Sequence, residues 1–328
     1  MKSYWMQMNE AGSVLELRDV PVPAPGPGQL LVRLHAAGLN RGEFVAGHGL
    51  HGAAGSWKAI GGEGAGEVVA LGLGVLGFEP GQRVMGRCPG AFSEFVVMEA
   101  AEAMVVPQGL AWEEAAAIPL TFLVTFDMLV LQGRLKAGEW LLINGVSSGV
   151  GVASLQLGKV LGARVIGTSG SQTKLDTLAH LGLDLGLRTQ GAAFAAAVMQ
   201  ATGQQGADLV VNAIGGSVFA ENVRAMAFEG RLATVGYVDG VLRADIDLEA
   251  LHAKRLALFG VSNKLRSKAQ RAAAVPRFVA EVMPHFASGR IRAQIDRVFE
   301  FTELQPAKAH MEAGAHVGKI VLRMPVAP

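Results

Sequence analysis

The run Asn144 to Gly151, NGVSSGVG, holds the residues of this chain whose type and spacing most directly imply chemistry. Gly145, Gly149 and Gly151 follow the apolar run Trp140 to Ile143 and precede an apolar helical pattern that continues to Leu161, where Gly162 stops it. The order is strand, glycine turn, helix. Residues without a Cβ let the backbone of Gly145 and of Ser148, Gly149, Val150 and Gly151 approach a pyrophosphate, and the helix N-terminus offers it partial positive charge. The spacing is G-x-x-x-G-x-G rather than the common dinucleotide fingerprint, so its context carries the reading: Arg164 to Gly167 supplies a second strand and completes a βαβ unit. The alternative is a glycine-lined turn that binds nothing.

NAD-selective folds place an Asp or Glu at the end of that second strand, where it accepts hydrogen bonds from the adenosine ribose. Here the chain reads Gly167-Thr168-Ser169-Gly170-Ser171, with no acid, and Lys174 follows one helical turn later. Hydroxyls, helix-terminal amides and a lysine favour a 2′-phosphate that a carboxylate would repel, so the expected cofactor is NADPH, held by Ser169, Gly170, Ser171 and Lys174. Arg188 is either a further ionic partner of that phosphate or a solvated surface arginine. Gly236 and Tyr237, directly after the apolar run Leu232 to Val235, complete the candidate cofactor residues.

These residues sit in a chain of 328, long enough for two domains with separate cores, in which half the residues are apolar and the formal net charge is +1. Nothing in that balance suggests a nucleic-acid footprint or a surface for anionic membranes. The start, MKSYWMQMNEAG, has no apolar leader core and no later run has the length of a membrane span, so a soluble cytoplasmic protein is expected. Cys88 is the only cysteine, which excludes an internal disulfide and a zinc site built from several thiolates. Its setting, RVMGRCPGAFSEF, holds no histidine, and it reads as a small apolar side chain rather than a nucleophile.

Short alternating strands punctuated by glycine and proline run from Trp5 to Val106: Leu15 to Val20, Gln29 to Ala37, Gly64 to Leu71, Phe92 to Val97 and Ala103 to Val106. The period then changes, with helical patterns over Trp112 to Ala117 and Phe122 to Leu131. Beyond Thr125 helices and strands alternate: helix Gln172 to Leu181, strand Leu209 to Asn212, helix Ser217 to Met226, and strands Leu232 to Val235 and Leu256 to Phe259. That rhythm predicts a doubly wound parallel α/β sheet. The tail from Lys268 predicts a long alanine-rich helix, a strand Ile295 to Phe299, a helix Leu304 to Glu312 and a strand Lys319 to Leu322, folded back onto the first domain. The expected division is 1–124 with 265–328, and 125–264.

Five blocks in order resemble the medium-chain dehydrogenase/reductase superfamily, in its zinc-independent quinone oxidoreductase branch. They are PAPGPGQLLVRLHAAGLNRGE (Pro23 to Glu43), GGEGAGEVVALG (Gly61 to Gly72), GAFSEF (Gly90 to Phe95), NGVSSGVG (Asn144 to Gly151) and HVGKIVL (His316 to Leu322). LRSKAQ, VMPHF and IDRVF near the end look most like its p53-inducible subgroup. The resemblance implies a β-rich GroES-like catalytic domain beside a Rossmann domain, and a homodimer pairing along the strand Leu256 to Phe259. In the zinc members of the superfamily the catalytic metal is held by a cysteine, a histidine and a later cysteine; the matching positions here read Asn40, Gly62 and approximately Leu120, so no metal is expected. Glu63 reads as a hydrogen-bonding core residue.

The resemblance puts Asn40 near the nicotinamide and the substrate carbonyl, where its amide would donate to an oxygen gaining negative charge; the alternative is an asparagine capping its own loop. Thr125 resembles the threonine that contacts the nicotinamide ribose, unless its hydroxyl is satisfied by its own helix. His48 and His51, in AGHGLHGAAGSWKAI, lie on the loop that would line the substrate mouth and could protonate an enolate, or could be surface histidines. Only Tyr4 and Tyr237 could serve as phenolic acids. The expected activity is NADPH-dependent reduction of quinones or α,β-unsaturated carbonyls by hydride transfer without zinc. An enoyl-thioester reductase and a non-catalytic NADPH-binding protein are the alternatives.

Overall fold

The computed structural model describes residues 1–9, 12–44 and 56–325. The chain divides into two compact units, Met1–Leu123 with Asn263–Pro328, and Val124–Ser262.

The first unit opens with β1 (Lys2–Asn9) and β2 (Gly12–Asp19), antiparallel along their whole length, and continues through β3 (Gln29–Gly38), β4 (Trp57–Ala59), β5 (Glu63–Leu71), β6 (Arg83–Arg87), β7 (Phe95–Glu99) and β8 (Ala103–Val105). β3 is the spine: it pairs with β5 along one edge, from Leu30 to Gly38, and with β7 along the other, from Gln29 to Arg33. Leu30, Val32 and Leu34 alternate along it into a core shared with Val68, Val84, Val96 and Met98, as the period of two requires. Two short helices follow, α1 (Trp112–Ala116) and α2 (Pro119–Phe126). The helical pattern expected over Phe122 to Leu131 begins earlier and changes type, the wider π turn Asp127–Gln132 taking over after Phe126.

The second unit alternates strand and helix: β9 (Trp140–Asn144), α3 (Gly149–Val160), β10 (Arg164–Ser169), α4 (Gln172–Leu178), β11 (Leu185–Arg188), α5 (Ala195–Ala201), β12 (Ala207–Asn212), α6 (Phe219–Ala225), β13 (Met226–Thr234), α7 (Leu248–Ala253) and β14 (Ala257–Gly260). All six strands are parallel, in the order β11-β10-β9-β12-β13-β14. Strand order therefore reverses between β9 and β12, the switch point at which folds of this kind bind ligands beyond the strands' carboxyl ends. Leu142, Ile166, Val210 and Leu232, one from each of four neighbouring strands, bury together in its core.

The alanine-rich tail is three helices rather than one: α8 (Lys268–Ala272), α9 (Val275–Glu281) and α10 (Met283–Ala287). Pro276 and Pro284 each lie in the first turn of a new helix, because proline lacks the N–H that would continue the preceding one. The chain then closes the first unit with β15 (Ile295–Glu300), α11 (Leu304–Glu312) and β16 (Lys319–Arg323), β16 pairing antiparallel with the end of β3. No helix among the described residues is long and apolar enough to cross a membrane.

Candidate active site

At the end of β3 the chain makes one 3-10 turn, Arg41–Phe44, that sets Asn40 and Glu43 against each other. Asn40 donates to Glu43 twice, from its backbone N to Oε2 at 3.0 Å and from Nδ2 to Oε1 at 3.1 Å. Across the sheet Gly38 pairs with Glu63, the first residue of β5, whose Oε1 accepts from Asn40 Nδ2 at 2.9 Å and whose Oε2 accepts from the backbone N of Leu120 at 2.8 Å. That second bond places a carboxylate on the first turn of α2, where backbone donors lack helical partners. From β16 comes Lys319, whose Nζ donates to Glu63 Oε1 at 2.6 Å, Leu39 O at 2.8 Å and Asn40 Oδ1 at 2.9 Å.

Glu43, Glu63 and Lys319 are all buried, Glu63 completely. Burial pushes the Glu43 carboxyl up to about 7, with the Asn40 hydrogen bonds and the Lys319 charge pulling against that rise and the Glu63 charge adding to it. Gly62 leaves room for the cluster: a Cβ there would lie 2.8 Å from Glu43 Oε1 and 2.9 Å from Leu120 Cδ1, so either side chain would have to shift to admit it. The structure thus brings positions 40, 62 and 120 together around one polar cluster. Among the described residues no group of three His, Cys, Asp or Glu side chains is placed to hold a metal ion. A cavity of about 30 Å³ adjoins Glu43, lined also by Lys58, Gly61, Gly62, Arg87 and Gly90.

The sequence reading put Asn40 near the nicotinamide and the substrate carbonyl as a free donor; here its amide is already engaged, with Nδ2 donating to Glu43 and to Glu63. His48 and His51 lie outside the described residues. Tyr4 is a core residue with its ring edge on Phe301, and burial raises its phenol further. Cys88 is fully buried, its Sγ donating to Gly86 O, and burial pushes the thiol up and out of the reactive range.

In the second unit Ser148 caps α3: its Oγ accepts from Gly151 N at 3.1 Å and donates to Gly145 O at 2.8 Å. Gly145 has φ +72°, and a Cβ on Gly151 would overlap the carbonyl oxygens of Gly145 and Val146. The backbone of Gly145, Ser148, Gly149, Val150 and Gly151 is therefore folded tightly around the N-terminus of a 12-residue helix at the carboxyl end of β9. Ser169 ends β10 in register with Arg188 at the end of β11, and Ser171 caps α4, its Oγ accepting from Lys174 N at 3.4 Å. Gly170 lies between those serines; Gly236 and Tyr237 follow β13 at the same sheet edge, Gly236 packing close to the Ala213 carbonyl.

Four polar side chains of this unit hold buried atoms without a hydrogen-bond partner among the described residues: Thr125, Asn144, Ser154 and Asn222. Thr125 Oγ1 is one such atom, so its own helix does not satisfy it, and at Asn144, as at Asn222, neither Nδ2 nor Oδ1 is paired. Asn144 stands beside Asn212 at the switch point, and Asn212 by contrast spends its amide on Ile214 N, Gly215 N and Gly215 O. Orphaned polar atoms cost about 1 to 3 kcal/mol each unless a ligand or water meets them, so the residues present fit a nucleotide at this edge. The sequence reading did not single out Glu43, Lys319 or Asn144. Lys319 carries a signal, a lone charge opening the apolar run Lys319 to Leu322.

Residues 26–108 match the family model of the alcohol dehydrogenase GroES-like domain, and residues 149–278 that of the zinc-binding dehydrogenase. The chain belongs to the medium-chain dehydrogenase/reductase superfamily. Its sequence is 39% identical over 163 residues to the quinone oxidoreductase of Pseudomonas aeruginosa, covering 49% of this chain and 50% of that one. It is 32% identical over 323 residues to a phenolphthiocerol/phthiocerol polyketide synthase of Mycobacterium tuberculosis; that match takes in 98% of this chain but spans only 15% of the relative. Mycobacterial Rv1454c, solved in complex with NADPH, superposes with TM-score 0.89 at 27% identity, over 98% of this chain and 100% of that one. Within the superfamily the chain is similar to members of the quinone oxidoreductase branch.

Proposed function

We propose that the protein is an NADPH-dependent, zinc-independent reductase of quinones or α,β-unsaturated carbonyls. The observation that carries this reading is Lys319 Nζ, hydrogen-bonded to Leu39 O, Asn40 Oδ1 and Glu63 Oε1 within the cluster that positions 40, 62 and 120 surround. An ammonium has no vacant orbital, so it cannot take a substrate oxygen as a ligand in the way that zinc does. A saturated ketone would then gather a full alkoxide charge with little to stabilise it. A conjugated carbonyl or quinone spreads the same charge over an enolate or phenolate-like oxygen, which is far less basic.

A reduced nicotinamide cofactor, its pyrophosphate held by the Gly145–Gly151 turn, would supply the hydride. The second unit supports NADPH over NADH because the end of β10 offers Ser169, Gly170 and Ser171 in place of an acid, with Lys174 and Arg188 close in register or sequence. Thr125 and Asn144 bring unspent hydrogen-bonding capacity to the same unit. In the first unit Asn40 holds the site together, and it meets a substrate oxygen by exchanging Glu43, the longer of its two acceptors at 3.1 Å. His48 and His51 are further candidate acids, and a second copy of the chain is the proposed partner at the β14 sheet edge.

The test is NADPH oxidation against quinones, enones, enoyl thioesters and the saturated ketone matched to each enone. Reduction of the enone faster than its saturated ketone is the expected result. The reverse order, or alcohol oxidation as the best activity, would sink this reading. Enoyl thioesters outrunning every free enone would favour the thioester reductase that kinship with a polyketide synthase suggests, and tight NADPH binding without turnover would favour a binding protein.

A further inference from the structure

One amide nitrogen joins two buried acids here, and one ammonium serves them. Asn40 Nδ2 reaches Glu43 Oε1 at 3.1 Å and Glu63 Oε1 at 2.9 Å. The three donors of Lys319 Nζ are consumed by Leu39 O, Asn40 Oδ1 and Glu63 Oε1, so none is left for Glu43. Glu43 is only 2% exposed, and its hydrogen bonds come from Asn40. Arg87, which lines the adjoining cavity, leans toward Glu102 at 3.9 Å, and Lys58 lines the same wall. An acid buried beside a second carboxyl group that holds the ammonium, with no ion pair of its own among the described residues, is cheaper to hold protonated than charged. The cavity beside it, about 30 Å³ and lined by Glu43, Lys58 and Arg87 together with glycine backbone and the apolar Ala59, Ile60 and Pro89, has room for one or two waters.

We propose that Glu43 is the proton reservoir of this site, a carboxyl group that holds a proton in the resting protein and passes it, through water in the adjoining cavity, to the anion left by hydride addition. This rests on the reductase reading above. Hydride adds to the electron-poor carbon with its electron pair, forming one C–H bond and moving the conjugated π pair onto an enolate or phenolate oxygen. The proton from Glu43 then completes a C–H or O–H bond, Glu43 is left as carboxylate, and solvent returns the proton by the same water. Glu43 acts through that water and is a relay residue rather than a catalytic one. Its value of about 7 suits exchange near neutrality, the result of burial first, with Asn40 and Lys319 lowering it and Glu63 raising it. Cys88 also feels the charges of Glu63, Arg87 and Glu43, but its thiol stays protonated throughout this range.

Infrared difference spectra of the full-length, cofactor-free protein between about pH 5.5 and about pH 8.5 read this proton directly. A neutral-carboxyl band that vanishes with a midpoint near 7 in the wild type, and is missing in Glu43→Gln, is expected. No such band in the wild type, or the same band in Glu43→Gln, overturns the proposal whatever the substrate. With NADPH and the best enone, kcat of the wild type should fall as pH rises through about 7. Glu43→Gln should lower kcat about a hundredfold and abolish that limb while NADPH affinity, read by fluorescence, is unchanged, and Glu43→Asp should keep a limb. The same limb in Glu43→Gln overturns the relay. If the wild type reduces no electrophile, the reductase reading fails and the relay with it, while the infrared band still decides where the proton sits.

Discussion

The cluster at the end of β3 and the glycine turn at the end of β9 treat buried polar groups in opposite ways. In the cluster Asn40, Glu63 and Lys319 are matched atom for atom, with side chains brought from β5, β16 and the connection after β3 and the chain supplying its own counter-ion. At the turn side chains are removed rather than added, and Asn144, which opens it, keeps both amide atoms unpaired among the described residues. The first region is complete without a ligand, and its stability depends on an internal cation. The second carries a cost that a ligand can repay, the physical form that an affinity for a polar cofactor takes in its absence.

Removing the internal cation is the harshest way to break that contrast. Lys319→Met leaves Glu63 buried and unpaired beside Glu43, and the expected loss in urea unfolding is about 3 to 5 kcal/mol. Adding Glu63→Gln to the same chain should recover most of that loss, because the two residues share one interaction. A loss under about 1 kcal/mol would show the cluster to be solvated like a surface pair.

A smaller effect separates the two acids within the cluster. Glu43 ionises near 4.5 in the unfolded chain and at about 7 in the folded one, so between those values the folded state holds the extra proton. Its contribution to stability is therefore full below about 4.5 and is lost as pH rises through about 7, by about 3 kcal/mol in all. Glu43→Gln should remove that slope, read as the difference in unfolding free energy between variant and wild type across the window. A difference independent of pH would mean that Glu43 is ionised throughout.

Much of the second unit is legible in the sequence because its signals are local. The strand, glycine turn and helix from Trp140 to Leu161 follow from adjacent residues, and so does Ser171 capping α4. Short elements of ordinary composition, β11 and α5, carry no such signal, and alanine content hides the breaks that Pro276 and Pro284 impose on the tail. The cluster is far less legible. Asn40 and Lys319 are 279 residues apart, and nothing in either neighbourhood says that one will accept the other's proton. Asn40 reads as a free donor because a sequence cannot show that Glu43 and Glu63 have already taken its hydrogens.

Charge at the turn sharpens the comparison from the other side. Lys174→Glu places a like charge beside the expected 2′-phosphate while leaving the Gly145–Gly151 backbone alone, and should weaken NADPH about tenfold more than NADH. Fluorescence titration with both cofactors checks this. Equal losses would make Lys174 a structural residue of α4.

The smallest expected effect has the opposite sign to the first. Asn144 is fully buried at the end of β9 and neither amide atom is paired among the described residues, so in the cofactor-free protein it carries a desolvation cost with no bond in return. Leucine has nearly the same shape and no polar atom, so Asn144→Leu should stabilise the cofactor-free protein by about 1 kcal/mol in urea unfolding. Added NADPH should then raise the melting temperature of the variant less than that of the wild type, because the variant has lost a group the nucleotide can satisfy. The two measurements together test what the orphaned amide is for. A variant that is stabilised and still gains the full NADPH shift would mean that the cost at Asn144 is unrelated to the cofactor, whereas a destabilised variant would mean that the amide is met by water in the cofactor-free protein.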